Sequence, residues 1–199
     1  SNASSSVVLA SGGAAANTIT VLRTKLTASA TALGVSPRTS KSSQDDFANI
    51  AFAADAADNA YLNTLTVTFS GTAASIATFL DGVSLLDTNA SNVTNTSGVT
   101  VATSSTACNG SNTCTKTWRF GTTTAGWQIP SSGSYTFKLR LDLSKTLAGA
   151  ASVTQGLTAT INANTDVMYT GGLSGTPTSS ISLPASVAPI GLNSVSFTT

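Results

Sequence analysis

The side chains able to carry acid–base or covalent chemistry in this chain are few. Its eight acidic residues are all aspartate, it has two cysteines and nine lysines or arginines, and histidine and glutamate are missing from all 199 residues. Acid–base catalysis near neutrality draws first on histidine and then on carboxylates with displaced pKa values. Without imidazole, an activated hydroxyl would need a lysine beside it. Ser144 and Lys145 are sequence neighbours that would point to opposite faces of a strand, and no Ser-x-x-Lys spacing occurs. No spacing of aspartates suggests the carboxylate pair of a glycoside hydrolase. The expectation is therefore that the chain is not an enzyme, with neither catalytic residues nor cofactor.

The two cysteines lie in Ala107-Cys108-Asn109-Gly110-Ser111-Asn112-Thr113-Cys114. A metal would want further Cys or His ligands, which the chain lacks. Redox pairs of the usual kind have two intervening residues at a helix start, whereas these five are polar and turn-forming. The reading is a disulfide between Cys108 and Cys114, exposed at a hairpin tip and closing so small a ring that it contributes about 2–3 kcal/mol. It implies an oxidising compartment.

Three further groups have weaker signals. Asp45, Asp46, Asp55, Asp58 and Asn59 offer oxygen ligands for Ca²⁺, but their spacing matches no recognisable loop, and the favoured reading is ordinary turn residues that cap nearby backbone N–H groups. Trp118, Trp127, Tyr61, Tyr135 and Tyr169 could form a sugar platform. Trp118 and Tyr135 fit strand rows, which leaves Trp127, in Gly126-Trp127-Gln128-Ile129-Pro130, as the expected exposed ligand contact. Asn89, Asn92, Asn95 and Asn109 head N-glycosylation sequons, read mainly as solvated loop.

The elements that would hold these residues are strands. Serine and threonine make up about a third of the chain, 41% is hydrophobic, 9% is charged, and the net charge is +1. That composition supports a core, gives no electrostatic reason to bind nucleic acid, and contains no apolar run long enough to span a bilayer as a helix. Period-2 alternation dominates. Thr18 to Ala28, Phe47 to Ala54, Tyr61 to Phe69 and Tyr135 to Leu143 read as strands. So do shorter runs at Val83–Leu85, Val99–Val101, Thr117–Phe120, Leu157–Ile161, Val167–Tyr169 and Asn193–Phe197. Phe47, Ile50, Ala54 and Tyr61 also fit one helical face, but Ala48-Ile50-Phe52-Ala54 alternates cleanly and Phe52 falls off that face. Short helical turns are expected at Ala73–Leu80 and near Leu147. The core should include Ile50, Phe52, Leu65, Val67, Phe69, Phe137, Leu139 and Leu141. Ser1-Asn2-Ala3 reads as a cleaved tag scar, so residues 1–13 are taken as scar and linker, with an edge strand at Val7-Val8-Leu9 as the alternative to linker there. Residues 14–199 are taken as one antiparallel β-sandwich, trimmed from a longer secreted precursor.

Three stretches carry a resemblance: Ser43-Gln44-Asp45-Asp46-Phe47-Ala48-Asn49-Ile50-Ala51-Phe52, then Leu62 to Gly71, then Ile129-Pro130 with Gly133 and Tyr135 to Leu143. In this order they resemble Ig-like β-sandwich repeats of bacterial cell-surface proteins, including adhesin stalks and surface-layer-type chains. The resemblance implies an extracellular, non-catalytic structural or adhesive module. Its partners would be neighbouring domains of a larger surface protein and a cell-surface glycan or protein. A carbohydrate-binding sandwich presenting Trp127 is the alternative. In some Gram-positive surface sandwiches a strand lysine and asparagine form an amide cross-link beside a carboxylate. Lys25, Asn193 and Asp142 match by position alone, and the competing reading is a lysine snorkelling to solvent.

Overall fold

The computed structural model of the chain describes residues 24–34, 36–37, 44–71, 82–87, 101–109, 112–120, 126–142, 154–171 and 190–198. They form β1 (Leu26–Ala32), β2 (Asp45–Ala54), β3 (Ala60–Gly71), β4 (Ser84–Leu86), β5 (Val101–Cys108) and β6 (Thr113–Phe120). The series continues through β7 (Trp127–Ile129), β8 (Ser134–Leu141), β9 (Thr154–Ile161), β10 (Val167–Gly171) and β11 (Ile190–Thr198), with one 3-10 turn at Asn164–Asp166. Every pairing is antiparallel, and there is no α-helix among the described residues. The fold is all-β.

Two sheets result. One has the order β1-β2-β8-β4; the other has β11-β9-β3-β6-β5, with β7 and β10 also paired to β3. On one edge of β3, β7 pairs with Ala60–Leu62 and β6 with Thr64–Ser70. On the other, β10 pairs with Ala60–Leu65 and β9 with Thr68–Gly71. β6 with β7, and β9 with β10, therefore act as two interrupted strands flanking one continuous central strand.

The apolar rows of the two sheets meet in a single buried cluster. All eight expected core residues are fully buried there, joined by Leu26, Phe47, Leu62, Trp118, Phe120, Ile129, Ile161 and Tyr169. Their burial is the main favourable term in folding, as it is in most domains.

Bulges break the alternation. In β2 the register slips between Asp46 and Ala48, so Phe47 and Ala48 are both buried. In β3, Asn63 has no opposite residue in its ladders with β6, β7 or β10. The inward phase therefore changes from Ala60 and Leu62 to Leu65, Val67 and Phe69. This corrects the uninterrupted Tyr61-to-Phe69 row read from sequence. In β11, the register slips between Gly191 and Asn193.

Other boundaries move as well. β1 begins at Leu26 and continues to Ala32, beyond the expected end at Ala28. β5 covers Val101–Cys108, beyond the expected end at Val101, with Val99 and Thr100 outside the described residues, and β7 lies in what was read as an exposed segment. Val7–Leu9, Thr18–Arg23, Ala73–Leu80, the region of Leu147, Asn89, Asn92, Asn95, Ser144 and Lys145 lie outside the described residues.

Candidate functional site

The ends of the strands hold the polar chemistry. At the end where β2 gives way to β3, Asp55 ties three segments together. The Thr24 hydroxyl donates to Asp55 Oδ1 at 2.6 Å, Ala57 N to the same oxygen at 3.1 Å, and Lys25 N to Oδ2 at 3.0 Å. The backbone adds Asp55 N to Lys25 O (3.1 Å) and Ser132 N to Asp55 O (2.9 Å). Asn59 Oδ1 accepts from Ser131 N at 2.9 Å, while Asp58 Oδ1 accepts from Asn59 N at 2.7 Å. The Asp55 carboxylate thus ties the entry to β1 to the 55–59 loop, and the β7–β8 turn joins them through Asp55 O and Asn59 Oδ1. The turn closes with Gly133 N on Pro130 O (2.9 Å) and places Ser132 at φ 55°, a left-handed conformation that asparagine or glycine would adopt with less strain. The Thr24 hydroxyl, helped by the Ala57 and Lys25 amides and the Lys25 charge, holds the Asp55 carboxyl below its ordinary pKa against a smaller opposing effect of burial.

The opposite end of β2 carries Asp46, which accepts from Arg140 Nε at 2.7 Å and from Lys138 Nζ at 2.9 Å. Burial raises its carboxyl pKa, but the two cations together outweigh this, and the net direction is down. Nine residues of strand separate Asp46 from Asp55, roughly 30 Å at the usual rise. The aspartates considered for calcium are therefore split between two ends of the molecule, and Asp46 and Asp55 are committed to protein donors. No group of three or more acidic or cysteine ligands comes together among the described residues.

The Lys25–Asn193 cross-link is corrected in the same way. Lys25 lies exposed beside Asp55, before β1 begins. The Asn193 amide donates to Phe47 O (2.7 Å) and Leu33 O (3.1 Å), past the far end of β1. Eight residues of extended chain between Lys25 and Leu33 span roughly 25 Å, too far for an amide bond.

Trp127 is also corrected: its indole is 8% exposed and belongs to the core. Its ring centroid lies 5.1 Å from Tyr135, 5.3 Å from Phe137 and 6.2 Å from Phe120, all in edge-to-face geometry. Trp118 and Tyr169 are fully buried, Tyr61 nearly so, and Tyr135 half-buried. No open aromatic platform exists among the five residues considered for sugar.

The Cys108–Cys114 disulfide is present, joining directly opposed residues of β5 and β6 with Cα atoms 4.0 Å apart. Cys108 is exposed as expected, but Cys114 is 1% exposed and packs in the core. Asn109 N donates to Thr113 O (2.9 Å), closing the hairpin tip, where Asn109 is exposed.

Sequence reasoning missed the function of Asn193, Ser36 and Ser196 together. Asn193 crosses between the sheets, while Ser36 Oγ accepts from Ser196 N at 2.9 Å and lies 3.3 Å from Ser196 Oγ. Asparagine at a strand bulge is the one available signal, because bulges re-aim side chains.

No protein-family model matches the chain, and no curated protein matches it. A solved structure described as "AvmM Catalyzes Macrocyclization in Alchivemycin A Biosynthesis" is similar to it, with 12% identity over 87% of this chain and 88% of that one and a TM-score of 0.38. With a catalyst among its structural neighbours, the expectation that the chain is not an enzyme is withdrawn. A likeness this distant transfers neither a reaction nor a catalytic residue to this chain.

Proposed function

We propose that this chain is a structural or adhesive module of a bacterial surface or secreted protein, an Ig-like β-sandwich joined to neighbouring domains and presented to a cell-surface glycan or protein outside the cell. The observation that carries the reading is where the chain enters and leaves the sheets. β3 runs from Ala60, beside Ile129 and Gly171, to Gly71, beside Leu157. Thr24 sits at the Ala60 end, tied to Asp55 and next to Gly171. Thr198 pairs with Thr154, past the Gly71 end. The described residues therefore begin and end at opposite poles, an arrangement that suits serial modules in an extended stalk.

The disulfide supports an oxidising location. Low charge and hydroxyl-rich strands suit a surface in contact with water and with neutral partners. No helix among the described residues is long and apolar enough to cross a membrane. The carbohydrate-binding reading loses the residue that motivated it, since Trp127 is in the core.

The test is protease shaving and antibody labelling of intact cells of the source organism, combined with thiol alkylation before lysis. Accessible protein with Cys108 and Cys114 resistant to alkylation is expected. An inaccessible protein with both cysteines alkylated overturns the proposal.

A further inference from the structure

β1 and β11 run in the same direction on the edges of the two different sheets. β1 leaves the Asp55 end and descends antiparallel to β2, and β11 descends antiparallel to β9 toward the Gly71 end. Pulling Thr24 and Thr198 apart draws each strand along its own axis, in opposite senses. The β1–β2 ladder, Leu26↔Ala54 through Ala32↔Ala48, and the β11–β9 ladder are then loaded in shear, so their hydrogen bonds share the load rather than failing singly.

Between β11 and the chain that leaves β1, with Phe47 of β2, lies a second set of bonds. Asn193 Nδ2 donates to Leu33 O (3.1 Å) and to Phe47 O (2.7 Å), which also accepts from Leu33 N (2.9 Å). Ser196 N donates to Ser36 Oγ at 2.9 Å, and the two hydroxyls lie 3.3 Å apart. The bulge in β11 explains why Asn193 reaches across, since Leu192 and Val195 are buried on the side from which its amide crosses to the facing sheet. Asn193 Oδ1 is fixed in turn by Ser194 N at 2.7 Å, which sets the orientation of the amide.

We propose that Asn193, Ser196, Leu33 and Ser36 form a force clamp, which couples the entry strand of one sheet to the exit strand of the other and resists extension of the chain between its poles. The reading of the chain as a stalk module supplies the reason tension would reach it; the clamp is a property of the fold.

The test is single-molecule force spectroscopy on the full chain with its disulfide intact. One geometry holds the chain through handles at its two ends. A second holds it through the N-terminus and Ser132→Cys, at the pole where Thr24 already lies, which leaves β11 unloaded. Asn193→Ala and Ser36→Ala are compared with the parent in both. Loss of a hydrogen bond broken in the transition state raises the unfolding rate at fixed force about tenfold for Asn193→Ala. Ser36→Ala, at an exposed position, shows the same direction with a smaller change. The Ser132 geometry should change by less than about threefold. Equal acceleration in both geometries, or none in the end-to-end one, overturns the clamp. Should Asn193→Ala fail to fold, the geometry dependence of Ser36→Ala decides alone. Cell-surface labelling does not enter this outcome, so clamp and localisation stand or fall separately.

Discussion

Replacing Trp127 with alanine separates a core indole from a ligand platform by magnitude. An exposed tryptophan off the core changes stability by no more than about 0.5 kcal/mol when truncated. Trp127 is 8% exposed and makes three edge-to-face contacts, with Tyr135, Phe137 and Phe120. Truncating a buried tryptophan costs about 3–5 kcal/mol, and aromatic pairs worth roughly 0.5–1.5 kcal/mol each place this site toward the upper end. For a chain of this size, that lowers Tm by roughly 6–20 °C. Urea unfolding followed by far-UV circular dichroism gives the value directly, with the midpoint falling and the slope unchanged. Trp127→Phe, which keeps a ring in the site, should recover much of the loss. A loss below about 1 kcal/mol for Trp127→Ala refutes the packing argument. It would return the residue to the surface and the sugar-binding reading to consideration.

Reducing Cys108–Cys114, or changing both residues to alanine, should lower stability by about 2–3 kcal/mol without unfolding the protein at 25 °C, read from urea midpoints with and without dithiothreitol. Free thiols in the untreated protein would contradict the pairing. Asp55 has a depressed folded-state pKa, so its contribution is complete above the ordinary carboxylate value of 3.8 and is lost as pH falls below it. Asp55→Asn should lower stability at neutral pH and flatten the acid limb of the stability profile, and an unchanged acid limb would remove Asp55 from its cause. A Cβ at Gly71 would lie 2.2 Å from Gly156 O, whereas one at Gly191 meets nothing within 4 Å. Gly71→Ala should therefore destabilise by about 1–3 kcal/mol and Gly191→Ala by under about 0.5 kcal/mol, and equal effects in thermal melts would count against the close β3–β9 approach.

Alternation announced β2, β3 and β8, together with their core residues, because one-sided burial imposes a period of two. It failed where the backbone slips. Phe47 and Ile50 are both buried three residues apart, spacing that fits a helical face, because the β2 bulge shifts the phase between them. Leu62 and Leu65 show the same spacing across the Asn63 bulge. The three-residue β7 has no periodic signal, and its place is fixed by the edge of β3 left open beyond β6. Trp127 was misplaced for that reason. Asp55 was legible as a turn aspartate only through Ala57 N, two residues on; its bonds to Lys25 N and the Thr24 hydroxyl, 30 and 31 positions away, were not. The Asn193 contacts were not legible, because their acceptors, Leu33 and Phe47, lie 160 and 146 positions away and the amide reaches them only after both sheets have formed.

The sharing of β3 among four strands has a consequence for synthesis on the ribosome. Residues 60–71 emerge early, but their partners come from β6 and β7, and then from β9 and β10, the last ending at Gly171. At about 5–20 residues per second, the central strand waits roughly 5–20 s between its own appearance and that of its last partner. During that interval Leu62, Leu65, Val67 and Phe69 lie on a strand with open edges, the kind of surface that chains use to pair with one another. Nascent chains truncated after β6 should therefore bind holdase chaperones more strongly than chains that extend beyond Gly171.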